Sequence, residues 1–395
     1  MSQANRDLPP WLWPRSAYVH VPFCAHHCGY CDFAVAVGQD ARIDDYLRAL
    51  EAEMSRLGQP QPVGTLFFGG GTPAHLSPHQ LARLLDVVAT WLILEPGGEF
   101  SVEANPAGLN GDKIRVLADQ GVNRISLGAQ SFDADLLRVL ERDHQPGDVP
   151  RAVERIRRRI DNISLDLIFG VPGQDLRRWH DDLGRALSLA PSHISTYGLT
   201  YEKGTRLWKQ RQRGEVRAVD EETERDMYLS ALDLLGDAGL QQYEISNHAR
   251  PGFRCRHNET YWANHAHFGF GMGAASYVHG IRRLNTRDLQ TYIGRALSGA
   301  PTCFQSEELS PDERAVETAV VQLRRAMGIE RESFRAQTAV SLDDTLGAAL
   351  SRLVGLGLLA DDGSRVALTR QGRCVADAVI QEVMKVNACV GEHGM

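Results

Sequence analysis

Three cysteines fall within eight residues near the N-terminus. They are Cys24, Cys28 and Cys31, in the segment Cys-Ala-His-His-Cys-Gly-Tyr-Cys. Thiolates in so short a loop can converge on one point, and such soft ligands suit zinc or an iron–sulfur cluster. A four-iron cluster held by three thiolates leaves one iron open, and the amine and carboxylate of an amino acid could chelate that iron. The spacing therefore predicts a metal centre, in which a reactive cluster is one possibility.

A structural zinc site is the alternative interpretation. Its fourth ligand would be His20, His26 or His27, which lie in or beside the cysteine segment. Structural zinc motifs usually combine two pairs of ligands. No second pair of cysteines follows here, so the spacing favours a cluster but leaves zinc open.

Six short apolar or alternating segments must position this loop, and helical patterns separate them. The predicted strands are residues 17–21, 65–68, 100–103, 124–127, 164–169 and 193–197. The spacing leaves room for one crossover helix after each strand, which is typical of repeated βα units and a parallel sheet. The cysteines directly follow the first strand. We predict an α/β fold built on a partial (β/α)6 barrel of the TIM type.

Polar or glycine residues stand at the end of each later strand. The segment 69–73, Gly-Gly-Gly-Thr-Pro, follows the second strand, Glu103 ends the third and Gln130 follows the fourth. Asp166 lies in the fifth strand and Tyr197 ends the sixth. In barrels of parallel strands the carboxyl ends form the active face. We therefore expect these groups and the cysteines to meet at one end of the barrel.

The sequence pattern changes twice after the barrel. Residues 243–280 are rich in histidine, tyrosine, tryptophan, glycine and asparagine, a composition typical of functional loops. From residue 310 the pattern is helical, then a hairpin is expected at 358–360 and 366–368, before a helix over 369–384. We predict an N-terminal tail (1–15), the barrel (16–240), a histidine- and aromatic-rich region (241–305) and a winged-helix-like domain (306–395).

Charge and composition exclude several classes of function. The chain has 43 basic and 50 acidic residues and a net charge of −7, so nucleic acid is not expected as a main partner. Residues from 310 onwards hold ten basic and twelve acidic residues, which indicates that the winged-helix-like domain packs against protein rather than DNA. No apolar signal segment or membrane span is expected, and the uneven cysteines do not suit disulfides. We predict a cytoplasmic protein with no integral membrane segment.

Several motifs together resemble a known family. Cys-x3-Cys-x2-Cys with Tyr30 before the last cysteine, followed by Gly-Gly-Gly-Thr-Pro, is similar to the radical S-adenosylmethionine superfamily. Segments 18–24, 31–33, 101–106, 126–132 and 166–174 resemble its branch of oxygen-independent coproporphyrinogen III oxidases and haem chaperones. The resemblance includes the C-terminal module. It implies the barrel fold, a [4Fe-4S] cluster and S-adenosylmethionine as cofactors.

The resemblance also implies roles for individual residues. Cys24, Cys28 and Cys31 would hold the cluster, whose open iron S-adenosylmethionine chelates. Positions that contact this molecule in the family are Tyr18, Gly70 and Glu103. Positions that contact a second such molecule in the oxidases are Tyr30, Gly71, Thr72, Gln130, Arg142 and Asp166. Electron transfer into the sulfonium gives a 5′-deoxyadenosyl radical, which implies an electron donor such as flavodoxin or ferredoxin.

Two features separate the oxidases from the chaperones. Phe33 stands where the oxidases have a further cysteine, and only 17 residues precede Tyr18, whereas the oxidases have a longer N-terminal extension. A separate signal is the segment from His257 to Trp262, which resembles the His-Asn-x-x-Tyr-Trp signature of the chaperones. The two features and this signature all favour a haem chaperone over a coproporphyrinogen oxidase.

The signature suggests a haem site. Its predicted haem-binding residues are His257, Asn258, Tyr261 and Trp262. Imidazole is a common axial ligand, and aromatic rings can stack on a porphyrin. Competing ligands are His248, His265, His267 and Cys255. The alternative is an aromatic core patch with a hydrogen-bonded histidine.

Three functional hypotheses follow. The leading one is a haem chaperone with a cluster and exchangeable S-adenosylmethionine, which passes haem to an acceptor protein and contacts membrane proteins transiently, if at all. The second is an oxygen-independent coproporphyrinogen III oxidase or another radical enzyme that modifies tetrapyrroles. The third is a zinc-stabilised barrel without a redox role.

Overall fold

A computed structural model of the chain describes residues 9–388. Its strands are β1 (Ser16–Val21), β2 (Phe23–Cys24), β3 (Ala36–Val37), β4 (Gln61–Gly70), β5 (Leu92–Ala104), β6 (Arg124–Gln130), β7 (Asn162–Phe169), β8 (His193–Gly198), β9 (Gln241–Gln242), β10 (Asn247–Ala249), β11 (Phe268–Phe270), β12 (Ala275–Val278), β13 (Ile281–Asn285), β14 (Cys303–Glu308), β15 (Ile329–Glu330), β16 (Leu359–Asp361) and β17 (Arg365–Leu368).

The helices alternate with the barrel strands and then dominate the C-terminal part. They are α1 (Ile43–Met54), α2 (Pro78–Trp91), α3 (Gly111–Asp119), α4 (Ala134–Val139), α5 (Asp148–Arg157), α6 (Leu176–Ser188), α7 (Arg206–Gln212), α8 (Glu221–Asp237), α9 (Arg256–Trp262), α10 (Leu289–Leu297), α11 (Pro311–Gln322), α12 (Arg331–Thr338), α13 (Leu342–Gly355), α14 (Arg370–Cys374) and α15 (Ala376–Ala388). None of the described helices is long and apolar enough to cross a membrane.

Six parallel strands form the centre of a nine-stranded sheet. The strand order is β11-β1-β4-β5-β6-β7-β8-β10-β9, so the six predicted strands lie side by side in chain order. Each pair is parallel, with Ala17 beside Leu66 and Leu127 beside Leu165 as examples of the register. This confirms the α/β fold and the partial barrel. The strands are buried on both faces, as parallel sheets require.

Helix ends follow the local signals in the sequence. Ser77 and Gln80 form a complete capping box at the start of α2. Gly58, at φ +70°, ends the turn that follows α1 because glycine adopts this left-handed conformation without steric cost. Outside the sheet, the helices bury apolar faces on the strands. Trp179 of α6 is fully buried, and its indole N–H donates to the carbonyl oxygen of Met227 at 2.8 Å.

The barrel sheet extends beyond residue 240. Antiparallel β10 pairs with β8 at one edge, and β11 pairs in parallel with β1 at the other. These strands have only three residues each, too few to show an alternating pattern, so the sequence did not reveal them. Glu53 of α1 links residues 271–302 to the barrel through its buried carboxylate. This carboxylate accepts four hydrogen bonds at 2.7–2.8 Å, from Gly271 N, Asn285, Tyr292 and Thr302.

The C-terminal part has an apolar core of its own around Phe334, Leu346 and Val366. Strands β16 and β17 form the predicted hairpin, and β15 adds a third strand. The single helix predicted over 369–384 is wrong, because it is two helices with a break at Val375. A Cβ at Gly372 would lie 2.0 Å from the carbonyl oxygen of Leu358, so only glycine allows α14 to pack this closely on the start of the hairpin. Val375, at φ −126° and ψ 31°, separates the two helices.

Candidate functional site

A cavity of about 630 Å³ lies at the carboxyl ends of the six parallel strands. Every barrel strand contributes to its lining, through Tyr18, Gly70, Glu103, Gln130, Asp166 and Tyr197. The positions that match a second S-adenosylmethionine site also line it, namely Tyr30, Gly71, Thr72, Gln130, Arg142 and Asp166. The strand-end residues singled out in the sequence thus surround one chamber, of a size typical for small-molecule sites.

The cysteine loop forms one wall of this cavity. It begins and ends at a small parallel pairing of β2 with β3, which joins Phe23 to Ala36. Cys24, Cys28 and Cys31 all line the cavity as partly buried free thiols. The Sγ of Cys24 lies 3.4 Å from the hydroxyl of Thr72. Burial raises the pKa of the Cys31 thiol to about 11, an environment in which a bound metal would be needed to hold the thiolate.

The cysteine loop does not form a preformed tetrahedral site for a single ion. Zinc needs its ligand atoms about 2.0–2.3 Å from one point. Within residues 9–388, no three side chains of His, Cys, Asp or Glu are gathered around one such point. His20 cannot complete a zinc site, because it is buried with its Nδ1 3.2 Å from the Tyr18 hydroxyl and its Nε2 2.8 Å from the carbonyl oxygen of Ala34. The three cysteines line a chamber of about 630 Å³, which has room for an iron–sulfur cluster.

The glycine-rich turn after β4 brings backbone into the cavity wall. Gly70 has φ +104°, and a Cβ there would lie 2.3 Å from the ring of His20. A Cβ on Gly71 would lie 2.6 Å from the carbonyl group of Pro22. Only glycine fits these positions, so a ligand can approach the peptide groups directly. The N–H of Gly70 also donates to Glu103 Oε2 at 3.0 Å, which orients that carboxyl group.

Two acidic side chains lie in the floor of the cavity. Burial and the nearby charge of Asp166 raise the pKa of Glu103 to about 7. Burial also raises the pKa of Asp166, although it accepts hydrogen bonds from Ser195 and Ser126 at 2.8 and 3.0 Å. A carboxyl group that is half-protonated near neutral pH gains charge readily when a cation arrives. Glu103 therefore suits a positively charged amino-acid ligand and can accept a hydrogen bond from the amino group of that ligand.

Gln130 has a backbone conformation that is unusual for its residue type, with φ +61° at the end of β6. Asp182 of α6 holds the next two residues, accepting from the Ser131 hydroxyl at 2.8 Å and from Phe132 N at 2.6 Å. Such strain is typical of functional sites. The sequence reasoning missed Asp182. Its position beside Leu183 on the apolar face of α6 was the available signal.

The helix α9, which carries the haem-chaperone signature, forms another wall. His257, Asn258 and Tyr261 line the cavity, whereas Trp262 does not. Trp262 lies under the guanidinium of Arg324, 5.2 Å from the ring centre, against the C-terminal domain. The signature therefore serves two purposes, with three residues at the cavity and one at a domain contact.

The hydrogen-bond network defines the tautomer of His257. The Thr65 hydroxyl donates to Ser16 Oγ at 2.8 Å, so it accepts from His257 Nδ1, which lies at 3.0 Å. Nε2 then carries the lone pair and accepts from the Tyr261 hydroxyl at 2.9 Å. Burial lowers the pKa of His257 to about 3, so the ring is neutral at physiological pH. A neutral imidazole with a lone pair on Nε2 is the form that binds iron.

Glu99 of β5 holds the start of α9 and was missed in the sequence. Its carboxylate accepts from Arg256 N at 3.0 Å and from His257 N at 3.3 Å, so it caps the helix from a neighbouring strand. The thiol of Cys255 also donates to Glu99, at 3.4 Å. Burial raises the pKa of Cys255 to about 12. The residue is fully buried and does not line the cavity, so it is not placed to bind haem there.

The signature helix and the first strand share an aromatic wall. The His257 ring is stacked on Phe67 with ring centres 5.0 Å apart, and Phe67 is stacked on Tyr18 at 6.2 Å. The alternative histidines do not belong to this wall of the cavity, because His248, His265 and His267 are absent from its lining. Of the histidines considered as ligands in the signature region, His257 alone borders the chamber that the cysteines face.

The parallel barrel, the cysteine loop after its first strand and the glycine-rich turn after β4 define a radical S-adenosylmethionine protein. Residues 18–186 match the model of the radical SAM superfamily, and residues 309–375 match the HemN C-terminal domain. The chain belongs to the family of the haem chaperone HemW. Proteins of that name from Bacillus subtilis (strain 168) and Lactococcus lactis (strain IL1403) are 39% and 37% identical to it, over 92% and 94% of this chain and 98% and 97% of theirs.

A solved structure supports the fold. Coproporphyrinogen III oxidase (HemN) from Escherichia coli superimposes with a TM-score of 0.82 at 22% identity, covering 94% of this chain and 90% of the oxidase. This likeness extends through the C-terminal domain. At this level of identity it shows a shared architecture and does not transfer the oxidase activity.

Proposed function

We propose that the chain is a haem chaperone that binds haem and a [4Fe-4S] cluster with exchangeable S-adenosylmethionine, and passes haem to an acceptor protein. One observation carries the proposal: the cysteine loop and the signature helix α9 line the same cavity. The family relationship supports it, because relatives named as haem chaperones match nearly the whole chain.

Cys24, Cys28 and Cys31 would hold the cluster, and the chain's own groups would place S-adenosylmethionine beside it. When bound, the cluster would supply the electron that cleaves the sulfonium. Glu103 would accept a hydrogen bond from the amino group of the ligand, and the backbone at Gly70 would approach the ligand closely. The buried aromatic wall that includes Tyr18 would keep water from this side of the ligand.

Haem would use the wall formed by α9. His257 offers a neutral Nε2, and the Tyr261 hydroxyl must release it before iron can bind there. Asn258 borders the same chamber. Trp262 would support the helix from outside by its contact with Arg324. Phe33, 60% exposed at the cavity, provides an apolar surface where the oxidases have a cysteine.

The partners follow from this chemistry. An acceptor protein would take up the haem, and an electron donor such as flavodoxin or ferredoxin would reduce the cluster. A cytoplasmic location suits these partners, and the six described cysteines are all free thiols, as a reducing compartment favours.

The test is a haem titration of anaerobically reconstituted protein, followed by transfer to apomyoglobin as a model acceptor. We expect about one haem per chain, weaker binding in His257→Ala, and unchanged binding in His180→Ala, whose side chain is exposed on α6. Absence of haem binding, with conversion of coproporphyrinogen III to protoporphyrinogen IX, would instead establish the oxidase.

A further inference from the structure

Arg142 places a positive charge directly beside one of the cluster cysteines. Its Nη1 donates to the Sγ of Cys28 at 3.3 Å, and its Nη2 donates to the carbonyl oxygen of Gly128 at 3.0 Å. Its Nε is buried and has no hydrogen-bond partner within residues 9–388. Because a guanidinium keeps its charge in proteins, the thiol of Cys28 always faces a cation.

Neighbouring backbone fixes this contact. The N–H of Gly29, next to Cys28, donates to the carbonyl oxygen of Leu140 at 3.3 Å. The side chain of Glu141 lies so close that a Cβ on Gly29 would be 3.1 Å from its Cδ. The segment 140–142 thus packs against the cysteine loop, and Arg142 keeps a set position relative to Cys28.

Gly128, at the end of β6, makes room for the second hydrogen bond. A Cβ there would lie 3.4 Å from Arg142 Nη2 and 2.9 Å from the side-chain amide of Gln130. The guanidinium is therefore held at both ends of its fork, by a backbone carbonyl and by a cysteine sulfur. Such two-point contact orients an arginine more strictly than a single ion pair would.

We propose that Arg142 is a positioning residue that raises the reduction potential of the cluster held by Cys24, Cys28 and Cys31. The inference rests on the proposed function, since that function supplies the cluster. Reduction adds one electron and no proton, so the reduced cluster carries one more negative charge. Hydrogen bonds to cysteine sulfur and a nearby cation stabilise that state. The oxidase resemblance instead assigns this position to a second S-adenosylmethionine.

A redox titration without S-adenosylmethionine separates the two roles of Arg142. A residue that tunes the cluster changes its potential when it is replaced, whereas a residue that only contacts a second S-adenosylmethionine does not. Reconstituted protein is reduced stepwise with dithionite and mediators, and the reduced cluster is counted by electron paramagnetic resonance. In Arg142→Met we expect the ratio of reduced to oxidised cluster at a given potential to fall about tenfold, a shift of about 59 mV for one electron. Arg142→Lys keeps the charge but loses the fork, so its potential should lie between the two.

Arg138→Met is the matched control. Arg138 is exposed on α4, pairs with Asp135 at 3.0 Å and does not line the cavity, so its loss should leave the potential unchanged. A wild-type potential in Arg142→Met would overturn the inference. If Arg142→Met does not hold a cluster, the potential of Arg142→Lys decides, and a wild-type value there would overturn the inference. Loss of the cluster from both variants would also overturn it. Wild-type protein that holds no cluster would refute the proposed function instead.

Discussion

The lone pair on Nε2 of His257 faces the hydroxyl of Tyr261 across 2.9 Å, and the proton between them belongs to the tyrosine. The chain Ser16, Thr65 and His257 fixes this direction, because the Thr65 hydroxyl donates to Ser16. The best-placed iron ligand on α9 is therefore in the correct tautomer and covered by a neighbour four residues along the same helix.

Removing the Tyr261 hydroxyl should strengthen haem binding. Tyr261→Phe keeps the ring but frees Nε2 of His257 from a hydrogen bond worth about 1 kcal/mol, which corresponds to roughly fivefold in Kd. The measurement is a haem titration followed by absorbance. His257→Ala should weaken binding in both the wild-type and the Tyr261→Phe background. Weaker haem binding by Tyr261→Phe, with the absorbance spectrum of the bound haem unchanged, would mean that iron does not bind at Nε2.

Glu99 should control the stability of the signature helix. Glu99→Ala leaves two backbone N–H groups at the start of α9 without a partner, so we expect the free energy of unfolding to fall by about 1–3 kcal/mol. Glu95→Ala, which removes a carboxylate from the same strand and breaks the ion pair with Arg15, should change it by less than about 1 kcal/mol. Urea unfolding measures both. Equal effects of the two variants would refute the capping role.

Trp262 should matter for stability more than for haem. Trp262→Phe keeps an aromatic ring beneath Arg324, so haem affinity should stay within about twofold of wild type. Trp262→Ala should lower the free energy of unfolding by about 1–3 kcal/mol, less than a fully buried tryptophan, because the side chain is partly exposed. A large loss of haem affinity in Trp262→Phe, at unchanged stability, would place the ring on the porphyrin.

Glu103 should make the protein without cofactors less stable as pH rises. Burial raises its pKa to about 7, so between about pH 4.5 and pH 7 the native state binds more protons than the unfolded state. The free energy of unfolding should fall by about 3 kcal/mol across this window. In Glu103→Gln this slope should flatten, leaving the smaller contribution of Asp166, whose pKa is raised as well. Chemical unfolding at a series of pH values measures the slope, and an identical slope in the variant would contradict the assignment.

Much of the fold could be predicted from local pattern. The six parallel strands have apolar runs between helical segments, and the capping box at Ser77 and the stop at Gly58 are local signals. The three-residue strands β10 and β11 could not be found in this way, because their pairing with β8 and β1 depends on contacts far apart in the chain. The break at Val375 falls at a residue that is neither glycine nor proline, so no local signal marks it.

The residues of the site likewise fall into two groups, those with a local signal in the sequence and those that depend on distant contacts. The cysteines and the strand-end residues have motifs or positions that local reasoning can use, and they surround one cavity. Glu99 and Asp182 act by accepting hydrogen bonds from segments more than 45 residues away, which no local pattern encodes. Trp262 has a local motif that suggested contact with haem, but its position on α9 places the ring against Arg324 and outside the cavity lining.

Metal analysis of the cysteine variants tests the cluster most directly. Anaerobically reconstituted wild-type protein and Cys303→Ser, whose thiol lies on β14 outside the cavity, should each hold about four iron and four sulfide ions per chain, and Cys28→Ser should lose them. One zinc ion per chain in the wild type, without sulfide and lost in Cys28→Ser, would contradict the cluster and establish a structural metal site instead.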